Sequence, residues 1–352
     1  MNHSFESPLI TTVIPTYRRP KQLQRAIRSV LNQTYPNFQV CIYDNDSGDE
    51  TSSIVRQIAK IDPRVKYYCH SQNIGAFKNF IFGMERASVG TPFFSFLSDD
   101  DILLPEFYQE AIEALCMFPA AIFYGGATIA MTEEGVIRDV SSMWEREGYF
   151  EPPDGLLKMM ANNLAWTSIL FRREVINEVG GLDLEVGAPF DLDFLLRIAA
   201  RFPFMVSGKP SAIWIDSPDS HSGRADSKFV WPGWLKMIRN LTGDQRILLH
   251  IRENAAQILT IQLQRKLFWL GANSILRKNF EDAYQVVRIF RMDYHQTAKA
   301  NLLFLVAVCC EHLPLAHTML GYLNLVRKLR GRKNGSSLQR RFGSYARFLQ
   351  VF

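Results

Sequence analysis

A chain of 352 residues that is 47% apolar and 21% charged has the balance of a folded globular protein, which excludes a disordered or fibrous chain. It is too long for one average domain and too short for three, so one large domain with an appendage is expected. The net charge of +5 is modest and unevenly placed, because residues 321–352 carry eight Lys or Arg and no acid.

Residues 9–14 form an apolar run closed by Pro15, and residues 38–43 form another closed by Asp44-Asn45-Asp46-Ser47-Gly48; both predict buried strands ending in turns. Between them Leu23, Ala26, Ile27, Val30 and Leu31 recur at helical spacing. A helix over 50–61, a strand over 65–69, a helix over 77–87 and an apolar strand over 92–97 follow. This alternation predicts an α/β fold with a mostly parallel sheet flanked by helices, in which ligands lie beyond the carboxyl ends of the strands. Residues 121–214 mix strands (121–129, 167–171, 204–207) with helices (156–160, 174–179, 192–201), which completes the sheet and builds a second substrate side. After Trp231-Pro232-Gly233 the pattern turns to amphipathic helices over 234–329 without clear strands. An α/β domain over 1–230 and a helical region over 231–352 with a basic tail are therefore expected.

Five cysteines without metal-ligand spacing predict neither a zinc site nor a disulfide framework, and a reducing cytoplasm suits them. Residues 1–8 lack the pattern of a secretory signal, and the longest apolar run, 302–310, is far short of the roughly 20 residues that span a bilayer. No transmembrane helix is expected. The basic tail belongs to no recognisable nucleic-acid-binding module, so an anionic membrane surface on the cytoplasmic side is preferred over nucleic acid as its contact.

Three groups of acids stand where chemistry is expected. Asp44, at a strand end, can accept a hydrogen bond from the imide N–H of a pyrimidine; it is equally suited to forming the turn that follows. Asp99, Asp100 and Asp101 follow an apolar strand with no basic residue near them in sequence, so either a hard cation such as Mg2+ or Mn2+ neutralises them or they form a solvated loop. Asp191 and Asp193 open a helix, as a cap and a first-turn acid or with one of them as a general base; spacing does not choose.

Read together, Val13-Ile14-Pro15-Thr16-Tyr17 and the segment from Ala26 to Pro36 resemble the opening motif of the family 2 inverting glycosyltransferases with the GT-A fold, and the similarity runs over about residues 9–222. The resemblance implies a nucleotide-sugar donor, UDP-sugar first and dTDP-sugar next, and a glycan or lipid-linked acceptor in bacterial surface polysaccharide assembly. It implies that Asp44 contacts the base, that Pro15, Thr16 and Tyr17 frame it, and that Asn73, Gly75 and Asn79 lie near the donor. Asp100 then aligns as the direct ligand of Mn2+ or Mg2+, with Asp99 beside the donor and Asp101 as a further metal neighbour, while Ser98 replaces the family's usual first acid. Asp191 aligns with the catalytic base, with Phe190 where Glu is usual. The family's later His position holds Ser217, which leaves His221 as a substitute metal ligand and Arg224 as a candidate for diphosphate. Two rivals remain: a catalytically inactive carbohydrate-binding scaffold, and a sugar-nucleotide pyrophosphorylase, for which the loop Pro15-Thr16-Tyr17-Arg18-Arg19 lacks the expected glycines.

Overall fold

The computed structural model describes residues 7–87, 90–141, 147–162, 164–187, 189–216, 226–313, 315–322 and 337–352. The chain divides into two compact units, one of Met1–Leu184, Phe194–Ser217 and Leu338–Phe352, the other of Glu185–Asp193 and Pro218–Ser337. The single boundary expected near residue 230 is replaced by a discontinuous division, with the last segment returning to the first unit.

The first unit is built on a ten-stranded sheet. Its first half is the expected alternation. Strand β1 (Ile10–Thr16) is buried along its whole length and pairs in parallel with β2 (Phe38–Asp44) on one side and β4 (Phe93–Phe96) on the other, while β3 (Val65–Cys69) extends β2. Helix α1 (Pro20–Leu31) starts with proline, whose fixed φ suits a first helical turn, and buries Leu23, Ala26, Ile27 and Val30. Helices α2 (Thr51–Ile61) and α3 (Ala76–Ala87) complete the crossovers. Helix α3 lies so close to β1 that a Cβ on Gly83 would stand 2.5 Å from Val13 Cγ1, so only glycine fits there.

The second half adds antiparallel strands to the expected parallel ones, so the sheet is mixed. After β5 (Ile102–Leu103) and α4 (Phe107–Met117) come β6 (Phe123–Met131), β7 (Ile137–Ser141), β8 (Gly148–Phe150), α5 (Asp154–Ala161), β9 (Ile169–Arg172), α6 (Glu174–Val179), α7 (Phe190–Ala199) and β10 (Phe204–Ile215). Strand β9 lies antiparallel between β4 and β6, β10 runs parallel to β6, and β5, β7 and β8 are short antiparallel additions. Strand β10 continues beyond the expected end at 207 because the register shifts around Pro210 absorb the break that Gly208 and Pro210 suggest.

The returning segment covers one face of this half. Phe342 and Phe352, with Leu338, Tyr345, Phe348 and Leu349, pack on Ile129, Met131, Ile137, Ile213 and Ile215. Gln339 Oε1 accepts from Ile137 N at 2.9 Å. The last part of the basic tail is therefore fixed to the first unit.

The second unit is helical among its described residues: α8 (Ser227–Gly243), α9 (Leu249–Leu276), α10 (Phe280–Met292) and α11 (Thr297–His312). Trp231-Pro232-Gly233, expected as a break, lies inside α8; Gly233 is required because a Cβ would sit 2.1 Å from Val186 O. Asp282 joins three helices: it accepts from Ser227 N at 3.0 Å at the start of α8, and from Ser227 Oγ and Ser274 Oγ at 2.5 Å each.

Candidate active site

The order β3-β2-β1-β4 reverses its sense of travel at β1, and the crevice beyond the carboxyl ends of such neighbouring strands is where ligands bind in open α/β sheets. Each strand end here is hooked to the next loop. Asn45 N donates to Thr16 O at 3.0 Å, His70 N to Asp44 O at 2.9 Å, and Leu97 N to Val13 O at 3.0 Å. Across the reversal itself Thr16 Oγ1 donates to Asp99 Oδ2 at 2.8 Å.

Asp44 is buried and builds the turn after β2. Its Oδ1 accepts from Ser47 N at 3.0 Å and Ser47 Oγ at 2.6 Å, and its Oδ2 accepts from Tyr67 OH at 2.5 Å. Burial and the bond to Asp44 push the Tyr67 phenol up, so it stays a neutral donor. The turn-forming role is thus realised, and of about four acceptor positions on a carboxylate roughly one is left for a ligand. Arg18 ties the same turn to the loop after β1, donating from N to Ser47 Oγ at 2.9 Å and from Nε to Ser47 O at 3.0 Å. Its guanidinium lies 5.0 Å from the ring centre of Tyr17, which is 39% exposed and so available to a ligand, whereas Pro15 is buried in β1.

Asn73 and Gly75 shape the loop after β3. Asn73 Oδ1 accepts from Asn45 Nδ2 at 3.0 Å and from Gly75 N at 2.9 Å, and Asn45 Oδ1 accepts from Ile74 N at 2.8 Å. Asn79 is buried and acts as a brace: its Nδ2 donates to Tyr43 O at 2.8 Å, and its Oδ1 meets His70 Nε2 at 2.9 Å.

The acids after β4 are not without a counter-charge, which corrects the expectation drawn from their sequence neighbours. Arg19, just ahead of α1, places Nη1 2.6 Å from Asp100 Oδ2 and 3.2 Å from Asp99 Oδ1. Arg25, from α1 itself, donates to the Asp100 carbonyl at 3.0 Å. Helix α1 follows β1, β1 neighbours β4, and so residues some eighty positions apart meet. One guanidinium does not balance three carboxyls. Burial and the neighbouring Asp100 push the Asp99 carboxyl up to about 6 against the pull of Arg19 and Thr16. Burial likewise raises Asp100 against Arg19, while Arg19 itself is raised because Asp99 and Asp100 outweigh its desolvation.

Asp101, expected to neighbour the metal, is turned to structure instead. It is fully buried, its Oδ2 accepts from Thr167 Oγ1 at 2.6 Å and its Oδ1 from Ile215 N at 3.0 Å. Both oxygens are committed to joining the loop to β10 and to the turn before β9. Burial, then the nearby Asp100, holds its carboxyl well above the ordinary range.

No cluster of three metal-binding side chains occurs among the described residues. Mn2+ and Mg2+ commonly use one or two carboxylates and complete their shell with phosphate oxygens and water, so Asp100 with Asp99 fits such an ion only together with a phosphate-bearing ligand. Excess negative charge around Arg19 favours that fit. His221, with Ser217 and Arg224, lies outside the described residues.

In the second unit, Asp191 and Asp193 open α7 and part company. Asp193 is buried, with Oδ1 accepting from Asn240 Nδ2 at 3.0 Å, so it packs α7 against α8. Asp191 is partly exposed, its Oδ1 accepts from Leu192 N at 2.7 Å, and burial raises its carboxyl despite Lys266. A carboxyl raised in this way, and not spent on a neighbouring helix as Asp193 is, is better suited to accepting a proton than an ordinary one. Arg19, Arg25, Tyr67 and His70 escaped the sequence reading, since only strand order brings them to the site.

Residues 11–180 match the family described as Glycosyl transferase family 2. The GalNAc(5)-diNAcBac-PP-undecaprenol beta-1,3-glucosyltransferase of Campylobacter jejuni is 36% identical over 99 residues, which are 28% of this chain and 31% of that protein. The matched stretches span about a third or less of the length of the first curated relatives. S. aureus TarS 1-349 in complex with UDP-GlcNAc shares the fold with a TM-score of 0.64 and 16% identity over 94% of this chain and 91% of that one. The mannosyltransferase PcManGT from Pyrobaculum calidifontis, in complex with GDP-Man and Mn2+, does so with a TM-score of 0.54 and 14% identity over 99% and 87%.

Proposed function

Residues 11–180 form a family 2 glycosyltransferase domain and the chain has a GT-A fold, and from that premise we propose that it transfers a sugar from a UDP-linked donor to an acceptor hydroxyl with inversion at the anomeric carbon. The observation that carries this reading is the set of Thr16, Asp44, Asp99 and Asp100 gathered at the carboxyl ends of β1, β2 and β4. Asp44 presents its remaining acceptor position to the imide N–H of uracil, which a thymine also carries and a guanine ring does not match in geometry. Tyr17, exposed beside Arg18, frames the base.

Asp191 takes the proton of the acceptor hydroxyl as that oxygen attacks the anomeric carbon; the bond to the donor diphosphate breaks and the nucleoside diphosphate leaves with its electron pair. Asp193, spent on Asn240, is not available for this task. A divalent cation such as Mn2+ or Mg2+, held by Asp100 with diphosphate oxygens, would offset charge on the leaving group. The UDP-GlcNAc held by TarS supports the donor class, and the name of the C. jejuni relative supports a lipid-linked acceptor of a surface glycan.

The reading places the enzyme at the cytoplasmic face of a membrane. No single described helix is long and apolar enough to cross a bilayer; α11 and Leu315–Tyr322 reach that measure only as a pair bent by 120°. Leu302, Phe304 and Leu305 on α11, and Leu315, Met319 and Tyr322 after it, are exposed, which suits an interfacial contact.

Saturation-transfer NMR with a panel of UDP-, dTDP-, GDP- and ADP-sugars tests the donor assignment. Signal on uridine or thymidine sugars alone is expected; binding of GDP-mannose in preference to every pyrimidine sugar would overturn it.

A further inference from the structure

We propose that Arg19 is a built-in counter-ion that occupies the carboxylate oxygens a divalent cation needs, so that the cation enters only when a donor diphosphate draws the guanidinium away. The inference rests on the donor and cation reading given above and assigns a function to a residue which that reading leaves out.

Arg19 Nη1 is 2.6 Å from Asp100 Oδ2 and 3.2 Å from Asp99 Oδ1, so a single nitrogen spans both candidate ligands. Arg19 takes a lone pair on Asp99 Oδ1 and on Asp100 Oδ2, and its positive charge at these separations opposes a cation approaching the positions that remain. The acids themselves are held from other sides. Asp99 Oδ2 is fixed by Thr16 at 2.8 Å, the Asp100 carbonyl by Arg25 at 3.0 Å, and the adjoining Asp101 by Thr167 and Ile215. Departure of Arg19 therefore leaves Asp99 Oδ2 and the Asp100 backbone in place and removes the one guanidinium bonded to both carboxyl groups.

Arg19 is also the part of the cluster that is able to leave. Its side chain is 30% exposed, against 10% for Asp99 and 14% for Asp100. Its backbone is anchored by Pro20 at the start of α1, so the motion is confined to a long side chain. Among the described residues only Nη1 is engaged, which leaves Nε and Nη2 as a second edge of the fork. That edge matches two oxygens of a diphosphate, the group for which a planar guanidinium has its best bidentate geometry.

Cation and diphosphate then bind cooperatively, because each removes an obstacle to the other, and linkage makes the effect reciprocal. The donor-free enzyme would take up free cation weakly despite its three acids. It would also be protected from a loose metal ion that could support wasteful hydrolysis.

The test is Mn2+ binding to the full chain, followed by the loss of the free-ion EPR signal, with and without UDP, for the wild type, Arg19→Gln and Arg19→Lys. Without UDP, Arg19→Gln is expected to bind Mn2+ roughly tenfold more tightly than the wild type, the scale of one charge-assisted contact released. With UDP saturating, the wild type gains affinity and the advantage of Arg19→Gln disappears. Arg19→Lys, which keeps the charge, stays close to the wild type without UDP and guards against a mere folding defect. Equal or weaker Mn2+ binding by donor-free Arg19→Gln, with wild-type binding in UDP intact, overturns the role of Arg19 alone. Absence of Mn2+ binding by the wild type even in UDP removes the cation reading, and the counter-ion with it.

Discussion

Asp101→Ala separates structure from metal binding within one acidic triplet. The substitution leaves two buried donors, Thr167 Oγ1 and Ile215 N, without the acceptors now 2.6 and 3.0 Å away. Each unsatisfied buried donor costs about 1–3 kcal/mol, and the small cavity adds to this. Against it stands the relief of removing a desolvated carboxyl beside Asp100, which offsets part of this loss. A net loss of about 2–4 kcal/mol follows, which for a unit of this size lowers Tm by roughly 5–15 °C. Asp101→Asn should lose much less, because its carbonyl still accepts from Ile215 N and its amide can meet the Thr167 hydroxyl. Asp100→Ala, at the accessible end of the cluster, should leave Tm nearly unchanged and abolish Mn2+-dependent UDP binding. Thermal melts by circular dichroism and UDP titrations with and without Mn2+ read both effects. A wild-type Tm for Asp101→Ala together with lost Mn2+ dependence would refute the structural assignment and return Asp101 to the metal.

Asp99→Asn tests the raised carboxyl at about 6. A folded pKa above the ordinary value favours folding while the proton is bound, an advantage complete below about pH 4 and lost as pH rises through 6, so the Asn variant should gain on the wild type between pH 5 and 7.5 by on the order of 1–3 kcal/mol; a pH-independent difference in Tm contradicts this. Asp282→Ala, removing the acceptor of Ser227 N, Ser227 Oγ and Ser274 Oγ, should destabilise the helical unit by about 2–4 kcal/mol in urea unfolding, and a loss below about 0.5 kcal/mol would show that the junction is dispensable. Co-sedimentation with anionic vesicles at low salt should retain the full chain and weaken when Leu302 and Leu305 are replaced by Ser; no binding to anionic vesicles ends the membrane proposal.

The parallel half of the sheet was legible because its strands are continuous apolar runs closed by turn residues, and its helices carry a clean apolar stripe. The antiparallel half was not. The strand expected over 204–207 is only the first part of β10, which passes Gly208 and Pro210 with shifted register, and the break expected at Trp231-Pro232-Gly233 lies inside α8. Local rules lose here to tertiary packing, which holds a bulged strand against β6 and presses Gly233 onto Val186 O. In the site, the acids at strand ends were visible as residue types. Which of them are spent on structural contacts was not, since the distinction between Asp100 and Asp101, or between Asp191 and Asp193, depends on partners such as Arg19, Thr167 and Asn240 that come from elsewhere in the chain. Asn79 illustrates the same point: a motif residue expected beside the donor is a buried brace between β2, α3 and His70.

The central claim, sugar transfer with Asp191 as the base, is tested most directly by Asp191→Asn measured for donor binding and transfer side by side. Using the pyrimidine sugar that binds the wild type, the account predicts an unchanged donor Kd and a transfer rate reduced by about 10²- to 10⁴-fold, because the amide keeps the shape and cannot take a proton. Transfer at the wild-type rate would contradict it.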